Sequence, residues 1–448
     1  MDLDSMDCYV NQTFSKFGAN KKREVRRLLF EISKREGCDV VNVMKEYKGD
    51  VKNFVGVKEH LIRRRFPDLT KDKQSIKPFL PELDIKEDEK AVVEGNRRRV
   101  IPKSFLVEKE VLNSEFVTQL KRKYPEASFG IINSYAEECK KKKYGIKDFN
   151  NRLENFYIIK ESFDFFKRCP CSPKMVPCGY HLINLGSGCA FECTYCYLQE
   201  YINSPGIVIP ANIEGFFEKF SEYKQNVYIG SGEFTDSLVF DHITEFSPKI
   251  VNFFKNYPKS IFEFKTKSDN IDLLKTVKPE GNIVVAWSMN PQKVIDTTEF
   301  FTASLEQRLK AADICQKLGY KIAFHFDPVI YYDGWEDDYT KVVDKIFGLI
   351  DKKNLDRISL GTLRMVPDLK KIIENRFPEN TILDGEIVLG YDKKLRYGYN
   401  LRSEMYKKML TRIRGHSSKV HVYLCMEEKA LCQECKTYPV SEGDSRCG

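Results

Sequence analysis

The feature that most constrains the fold is a regular alternation of strand-like and helix-like stretches in the second half of the chain. The apolar strand candidates are Tyr180 to Leu185, Asn226 to Gly230, Ile261 to Thr266, Ile283 to Ser288, Lys321 to Phe326 and Arg357 to Leu360. The helical candidates are Ile213 to Tyr223, His242 to Asn256, Ile271 to Val277, Ser304 to Leu318, Trp335 to Ile350 and Leu369 to Arg376. Six such units predict parallel strands with helices outside, because parallel pairing needs a long crossover. Right-handed crossovers would let the sheet curl, so the predicted fold class is α/β, a partial parallel (β/α)6 barrel.

Changes in pattern along the chain predict four regions. They are a helical N-terminal extension (1–85), a linker with a small α/β unit (86–170), the partial barrel (171–380), and a C-terminal basic hairpin and helix region with a cysteine-rich tail (381–448). In the small unit, a helix near residues 114–123 separates two short strands, 104–107 and 128–132.

Composition narrows the class of protein further. Hydrophobic residues make up 42% of the 448 positions and charged residues 31%, which is typical of a globular chain. No apolar run approaches the roughly 20 residues that span a bilayer, and the acidic residues 1–7 lack the apolar segment of a signal peptide. We therefore expect a cytoplasmic protein with no membrane partner. In a cytoplasmic protein, the 14 cysteines of this chain favour metal ligation and free thiols over disulfides.

Three cysteines stand close together directly after the first barrel strand. Cys189, Cys193 and Cys196 have the spacing C-x3-C-x2-C. Three thiolates on one tight loop can hold three corners of a cubane iron-sulfur cluster and leave its fourth iron without a protein ligand. A structural zinc site would want a fourth ligand nearby, and the loop offers none within a few residues on its C-terminal side. The alternative is three unrelated buried thiols or part of a zinc site.

The cysteine spacing, with an aromatic residue before the third cysteine, resembles that of the radical S-adenosylmethionine (SAM) superfamily. The string from Cys193 to Gln199, CTYCYLQ, resembles the spore photoproduct lyase branch in particular, and the resemblance extends over residues 105–423. It implies a barrel of radical SAM type, a [4Fe-4S] cluster, SAM at the open iron, and reductive cleavage of SAM to a 5′-deoxyadenosyl radical. An external electron donor of flavodoxin or ferredoxin type is also implied.

Four residues at strand ends are candidates for binding SAM. After the second strand, Gly232 would let the backbone approach a ligand, and Glu233 or a main-chain acceptor could receive the SAM ammonium group. Lys267 and Ser288, at the ends of the third and fourth strands, resemble the lysine and serine with which the family contacts SAM. The alternatives are an ordinary glycine turn, a lysine in solvent and a serine that caps a turn.

The resemblance also implies a substrate and its catalytic residues. Spore photoproduct lyases repair a thymine-dimer lesion in DNA, where a cysteine after the second strand returns a hydrogen atom and two tyrosines assist. Tyr195 and Tyr197 match the tyrosines, with plain packing around the cluster as their alternative. At the cysteine position this chain has Phe234, and a phenyl ring cannot donate that hydrogen. Modification of a peptide or RNA by the same radical chemistry therefore competes with DNA repair, as does a non-catalytic iron-sulfur protein that binds nucleic acid.

Three further groups of residues carry weaker signals. The stretch Tyr391 to Arg402 mixes cations with tyrosines, which suits a DNA backbone and an unstacked base, or simply a surface hairpin. His325 faces either the barrel interior or the outer helices. Other cysteines are candidates for an auxiliary metal site or a hydrogen donor: Cys425, Cys432, Cys435 and Cys447 in the tail, and Cys169, Cys171 and Cys178 before the first strand.

Overall fold

A computed structural model describes residues 3–71, 78–95, 97, 99–163, 167–172, 175–201, 204, 206–223 and 225–437. Its strands are β1 (Ser104–Glu108), β2 (Ser128–Ile132), β3 (Phe156–Ile159), β4 (Lys167–Arg168), β5 (His181–Leu182), β6 (Glu192–Cys193), β7 (Ile207–Pro210), β8 (Tyr228–Ser231), β9 (Ile261–Thr266), β10 (Ile283–Ser288), β11 (Glu299–Phe300), β12 (Lys321–Val329), β13 (Leu355–Thr362), β14 (Arg364–Met365), β15 (Ile387–Leu389), β16 (Leu395–Tyr397) and β17 (His421–Leu424).

Helices occupy the described N-terminal segment, most crossovers between strands and the segments on either side of β17. They are α1 (Leu3–Thr13), α2 (Ala19–Glu36), α3 (Val40–Met44), α4 (Phe54–Arg65), α5 (Pro67–Lys71), α6 (Glu115–Lys123), α7 (Tyr135–Lys140), α8 (Ile146–Asn150), α9 (Ile213–Glu222), α10 (Asp241–Thr244), α11 (Phe246–Phe254), α12 (Gln292–Thr298), α13 (Leu305–Lys317), α14 (Trp335–Leu349), α15 (Pro367–Arg376), α16 (Tyr399–His416) and α17 (Lys429–Glu434). Within the described residues, none has the length and apolarity of a membrane-spanning segment.

The chain folds into two compact units. One comprises Met1–Lys90 and Leu363–Arg402, and the other comprises Ala91–Thr362 and Ser403–Gly448. In the first unit, α1 to α4 pack around a core that includes Leu28 and Leu61, and β14, β16 and β15 form a small antiparallel sheet. The four regions proposed from the sequence remain a prediction.

The second unit contains the curled sheet. Its strand order is β17-β13-β12-β10-β9-β8-β5-β4, and all neighbours are parallel except β4, which runs antiparallel to β5. This confirms the predicted α/β fold with a partial parallel barrel. β9 and β10 have the predicted bounds, whereas the first strand is only two residues long. β17 was not predicted, because it is short and follows a long helix rather than another β-α unit.

Two predicted helices differ from the structure. The helix expected over residues 242–256 is interrupted at Glu245, whose φ of 55° places it in the left-handed region between α10 and α11. The helix expected over residues 271–277 is reduced to a single 3-10 turn, Leu274–Thr276.

A second, four-stranded sheet has the order β2-β1-β3-β7, with all neighbours parallel. β1 and β2 were predicted, whereas β3 and β7 were not. β7 follows the segment that carries the three cysteines, residues 186–199, which we call the cysteine loop. This sheet therefore anchors the C-terminal side of the loop. The segment between β4 and β5 bonds to the segment after β17, where the Val176 amide donates to the Glu427 carbonyl at 3.0 Å. This seam joins the two edges of the curled sheet.

Candidate active site

The cysteine loop begins at Gly186, four residues after the end of β5. Gly186 and Gly188 have φ values of 150° and 90°, and a Cβ atom at Gly186 would lie 2.6 Å from the Val208 carbonyl oxygen. Glycine is therefore required at Gly186, because the neighbouring atom is backbone and cannot move aside cheaply. Two hydrogen bonds between Ser187 and Val208, of 3.0 and 2.8 Å, pin the start of the loop to β7.

Arg152 holds the middle of the loop. Its guanidinium donates to the carbonyls of Cys189 and Phe191 at 2.7 and 2.8 Å, and to the Glu192 carboxylate at 2.7 Å. Arg97 donates to the same carboxylate at 3.0 Å. Arg152 is 2% exposed, so these bonds fix the loop from inside the protein. No motif in the sequence pointed to this arginine, which precedes Cys189 by 37 residues.

The far side of the loop is held by main-chain pairing. β6 pairs antiparallel with β11, so Cys193 lies opposite Glu299. The Gln199 side chain donates to the carbonyls of Thr194 and Cys196 at 2.9 Å each. The positions of the cysteines are thus set by hydrogen bonds from the surrounding fold.

The pKa values of the three thiols are set by burial and by nearby charges, among them Lys267 and Arg152. Burial raises the pKa of Cys189 to about 12 and also raises the pKa of Cys193 and Cys196. The Lys267 ammonium acts in the opposite direction on Cys193 and Cys196. Three thiols next to a cation, that of Cys193 buried and those of Cys189 and Cys196 partly buried, fit an anionic iron-sulfur cluster, because the cation favours the thiolate form that binds metal.

Lys267 is positioned by a partly buried carboxylate that joins two strand ends. Asp236, after β8, accepts hydrogen bonds from the Thr266 hydroxyl at 2.7 Å and the Lys267 amide at 2.6 Å, both at the end of β9. The Lys267 ammonium lies 5.7 Å from the centre of the Tyr195 ring. It therefore points toward the cysteine loop, against the alternative of a lysine in solvent.

Tyr195 belongs to a buried hydrogen-bond network that the sequence did not reveal. Its hydroxyl donates to Glu299, which also accepts from Asn290 at 2.8 Å and from Arg308 at 2.6 Å. The Asn290 carbonyl oxygen in turn accepts from the Tyr339 hydroxyl at 2.6 Å. Glu299 and Arg308 have fully buried side chains. The sequence signal for this network is limited to Asn290, which lies two residues after Ser288 at the end of β10.

The remaining candidates for SAM binding have defined positions. Gly232 has a φ of 103°, and a Cβ there would lie 3.1 Å from the Lys265 carbonyl, so this turn also favours glycine. The Glu233 carbonyl accepts a hydrogen bond from the Tyr197 hydroxyl. Ser288 is buried, and its carbonyl accepts from Arg308 at 2.8 Å. The structure thus places all four residues at the carboxyl ends of β8, β9 and β10.

Aromatic rings form the rim beside the loop. Tyr197 and Tyr201 pack edge to face at 5.8 Å, and Tyr201 packs on Phe234 at 6.1 Å. A cavity of about 160 Å³ adjoins this rim and is lined in part by Arg152, Gly188 and Phe234. Phe234 thus stands beside the cysteine loop, at the site where the resemblance predicts a thiol.

His325 faces the barrel interior, which decides between its two predicted orientations. Its imidazole lies 2.6 Å from the Ser359 hydroxyl and 3.0 Å from the Glu263 carboxylate. Tyr180 and Tyr228 donate to the same carboxylate at 2.8 and 2.6 Å. Burial lowers the pKa of His325, so it is a neutral, hydrogen-bonded interior residue.

The predicted basic hairpin is formed by β15 and β16. Lys393 is exposed at its turn and Lys394 is partly buried, whereas Arg396 and Arg402 are buried. Arg396 pairs with Asp392, and Arg402 donates to the Tyr397 carbonyl at 3.1 Å. Two of the four cations therefore stabilise the hairpin itself.

The cysteine-rich tail is described only in part. Cys447 lies outside the described residues, while Cys432 and Cys435 are buried on and just after α17. In the described part of the chain, no three His, Cys, Asp or Glu side chains converge as ligands of a single metal ion do. An auxiliary metal in the tail remains a prediction.

A curled parallel sheet with three cysteines on the loop after its first parallel strand defines a protein of the radical SAM class of α/β folds. The spore photoproduct lyase family model matches residues 101–413. The chain therefore belongs to the spore photoproduct lyase family.

Individual relatives agree with this assignment. The chain is 28% identical over 214 residues to a spore photoproduct lyase of Geobacillus sp. (46% of this chain, 63% of that protein) and 26% identical over 245 residues to that of Bacillus subtilis (52% and 69%). It thus spans less than two thirds of the length of the Geobacillus protein.

A solved spore photoproduct lyase complexed with dinucleoside spore photoproduct has a TM-score of 0.63 at 22% identity, covering 73% of this chain and 99% of the other. A mutant lyase with bound AdoMet and the same dinucleoside gives 0.62 at 22% identity, with the same coverage. These structures share the fold of this chain.

Proposed function

We propose that this protein is a radical SAM enzyme that repairs a thymine-dimer lesion of spore photoproduct type in DNA. The observation that carries the proposal is the loop of three neighbouring cysteines beside Lys267 at the carboxyl end of the curled sheet. When bound there, a [4Fe-4S] cluster supplies the electron that cleaves SAM reductively.

We assign each residue of the site a role that its position supports. Cys189, Cys193 and Cys196 hold the cluster, and the charge of Lys267 stabilises bound anions, including the carboxylate of SAM. Gly232 and Glu233 offer backbone and carboxylate acceptors for the SAM ammonium group, and Ser288 offers a hydroxyl for the ribose.

The substrate follows from the family. The related lyase binds dinucleoside spore photoproduct, and the aromatic rim of Tyr197 and Tyr201 suits an extruded, unstacked base. The exposed Lys393 provides a cation for a DNA phosphate. An external flavodoxin- or ferredoxin-type protein delivers the electron.

Phe234 favours a second candidate, the modification of a peptide or RNA by the same radical chemistry. The side chain at this position is a phenyl ring and cannot return hydrogen to a thymine product. Without another donor, SAM cleavage would proceed while the thymine lesion persisted.

The test is anaerobic reconstitution with iron and sulfide, followed by dithionite and SAM, with and without dinucleoside spore photoproduct. We expect 5′-deoxyadenosine in both cases and thymine dinucleotide only with the lesion. Cys193→Ser should lower 5′-deoxyadenosine formation at least 100-fold, whereas Cys8→Ser, at an exposed cysteine in α1, should leave it unchanged. Cleavage of SAM without dimer reversal would favour the second candidate, and absence of cleavage would contradict both.

A further inference from the structure

The proposed function requires an electron donor, and a strongly basic segment of the same unit is anchored to the cysteine loop. Between Lys140 and Lys147, five of the eight residues are lysine and none is acidic. We call these residues the lysine segment; it comprises the end of α7, a short connection and the start of α8. All five lysines are exposed. A cluster of one charge attracts molecules of the opposite charge, so its position decides what it can serve.

The helix at the end of the lysine segment reaches the cysteine loop through Arg152. The Arg152 guanidinium lies over the ring of Phe149, in α8, with 4.2 Å between its central carbon and the ring centre. It also donates to the Phe149 carbonyl at 2.9 Å and to the Cys189 carbonyl at 2.7 Å. One side chain thus connects α8 with a residue proposed to hold the cluster.

The helix at the start of the lysine segment reaches the same loop by another route. Tyr135, the first residue of α7, packs on Tyr157 of β3 with ring centres 5.3 Å apart. Both tyrosines belong to an apolar cluster that includes Val208 of β7. Val208 forms two hydrogen bonds with Ser187 in the cysteine loop. The lysine segment is therefore anchored to the loop from both of its ends.

Internal contacts fix the lysine segment and leave part of its charge unpaired. Lys142 pairs with Asp148 at 2.6 Å, and the Gly145 amide donates to the same carboxylate at 2.9 Å, so the connection is tied to α8. Lys140 and Lys143 form no ion pair within the described part of the chain. These two exposed charges are available to an acidic partner.

An electron-transfer protein is the partner that this position favours. Complexes of electron carriers bury small interfaces, so a single segment is sufficient, and complementary charge guides such partners together. The segment is anchored at Ser187 and Cys189, in the first half of the loop, whereas Lys267 lies over Tyr195 in the second half. A DNA backbone is also attracted by lysines, but it gains nothing from a connection to Cys189.

We propose that the lysine segment docks a small acidic one-electron carrier protein, of flavodoxin or ferredoxin type, which passes its electron to the cluster on the side of Cys189. This inference rests on the proposed function, which needs such a donor. In the step, the reduced carrier is oxidised by one electron and the cluster is reduced by one electron, with no bond made or broken. Arg152 bridges α8 and the loop at this point.

The experiment compares two kinds of reductant on the reconstituted protein. The segment variant, Lys140→Glu/Lys143→Glu, reverses two charges of the lysine segment. The matched control, Lys352→Glu/Lys353→Glu, reverses two exposed charges just before β13, at the amino end of a barrel strand. With reduced flavodoxin or ferredoxin at low salt, 5′-deoxyadenosine formation should fall at least tenfold in the segment variant and keep the wild-type rate in the control. With dithionite, which needs no docking surface, both variants should match the wild type.

Two further measurements locate the docking surface. Added salt should slow carrier-supported cleavage in the wild type and change it little in the segment variant, because ions screen the attraction between exposed charges. A carbodiimide should join carboxylates of the carrier to lysines of residues 140–147, detected by peptide mass spectrometry, and should leave Lys352 and Lys353 unlinked. The second measurement is independent of turnover.

The outcomes separate this inference from the proposed function. Absence of SAM cleavage with dithionite in the wild type would overturn both. Cleavage with dithionite, combined with equal carrier-supported rates in the segment variant and the wild type or with no support from either carrier, would overturn the docking assignment alone. Weaker binding of a lesion-containing oligonucleotide by the segment variant, with carrier-supported cleavage unchanged, would assign the lysine segment to DNA instead.

Discussion

Lys267 is the side chain whose charge most directly influences the cysteine loop. Its ammonium lowers the pKa of Cys193 and Cys196 against the larger, opposite effect of burial. It is held there by the bond from its own amide to Asp236. The position of the Lys267 charge near the cysteines thus depends on the Asp236 carboxylate, which links the ends of β8 and β9.

Replacing Lys267 with methionine should make both thiols harder to ionise. In the iron-free protein, alkylation of Cys193 and Cys196 should slow roughly tenfold, which corresponds to about one unit of pKa. Timed labelling with peptide mass spectrometry would measure it, with the exposed Lys275→Met as control. Unchanged labelling rates would contradict the assigned position of the ammonium group.

The cysteine loop is an element held by groups from outside it. Arg152 satisfies two loop carbonyls and the buried Glu192 carboxylate. We expect Arg152→Met to lower the iron bound per chain several-fold after reconstitution, because the loop carbonyls lose their donors. Iron and sulfide analysis would measure this, with Arg99→Met as control because the Arg99 side chain is 68% exposed. Full iron content in Arg152→Met would show that the loop does not need this support.

A second element with a measurable signature is the break between α10 and α11. Asp241 accepts from the Ser247 amide at 3.0 Å, and burial raises the pKa of Asp241 to about 6 from an ordinary 3.8. The native state therefore holds this proton more tightly than the unfolded chain. The associated stability is present below about pH 4 and is lost as the pH rises through 6.

The shift of about two pKa units corresponds to about 3 kcal/mol of unfolding free energy. Urea titrations at pH 4 and pH 7 should therefore show a fall of that order that Asp241→Asn removes and the exposed Asp296→Asn retains. An identical pH dependence in wild type and Asp241→Asn would refute the assignment. Other groups titrate in this range, so the comparison between variants is the decisive quantity.

At the scale of the whole molecule, the first unit is assembled from segments far apart in sequence. The Glu31 carboxylate accepts from Arg27 and Arg65 at 2.8 Å each and from Lys370 at 2.6 Å. Arg27 also pairs with Glu374. These buried pairs tie the N-terminal helices to the segment Leu363–Arg402 within that unit.

Glu31→Gln should destabilise the first unit by about 3 to 5 kcal/mol, because it leaves buried cations without their partner. Chemical unfolding and limited proteolysis would detect the change, with faster cleavage in residues 363–402. Glu59→Gln, at a largely exposed glutamate, is the control. Equal stability in both variants would contradict the arrangement.

The sequence predicted the barrel well, because the alternation of apolar strands and helical stretches can be recognised from residues that are neighbours in sequence. β9 and β10 are regular apolar runs and their bounds were correct. The place of the glycine turn followed from strand order, and the choice of Lys267 followed from the family resemblance. Arg152, Glu299 and Arg308 could not be found in this way, since each reaches its partners only through tertiary packing. The assembly of the first unit from two distant segments was missed for the same reason.

The central claim is that three cysteines leave one iron of a cubane cluster open for SAM. The most direct test is electron paramagnetic resonance of the reconstituted, reduced protein before and after SAM is added. We predict that SAM changes the spectrum of the reduced [4Fe-4S] cluster and that this change is lost in Cys193→Ser. A well-formed cluster whose spectrum is the same with and without SAM would contradict it.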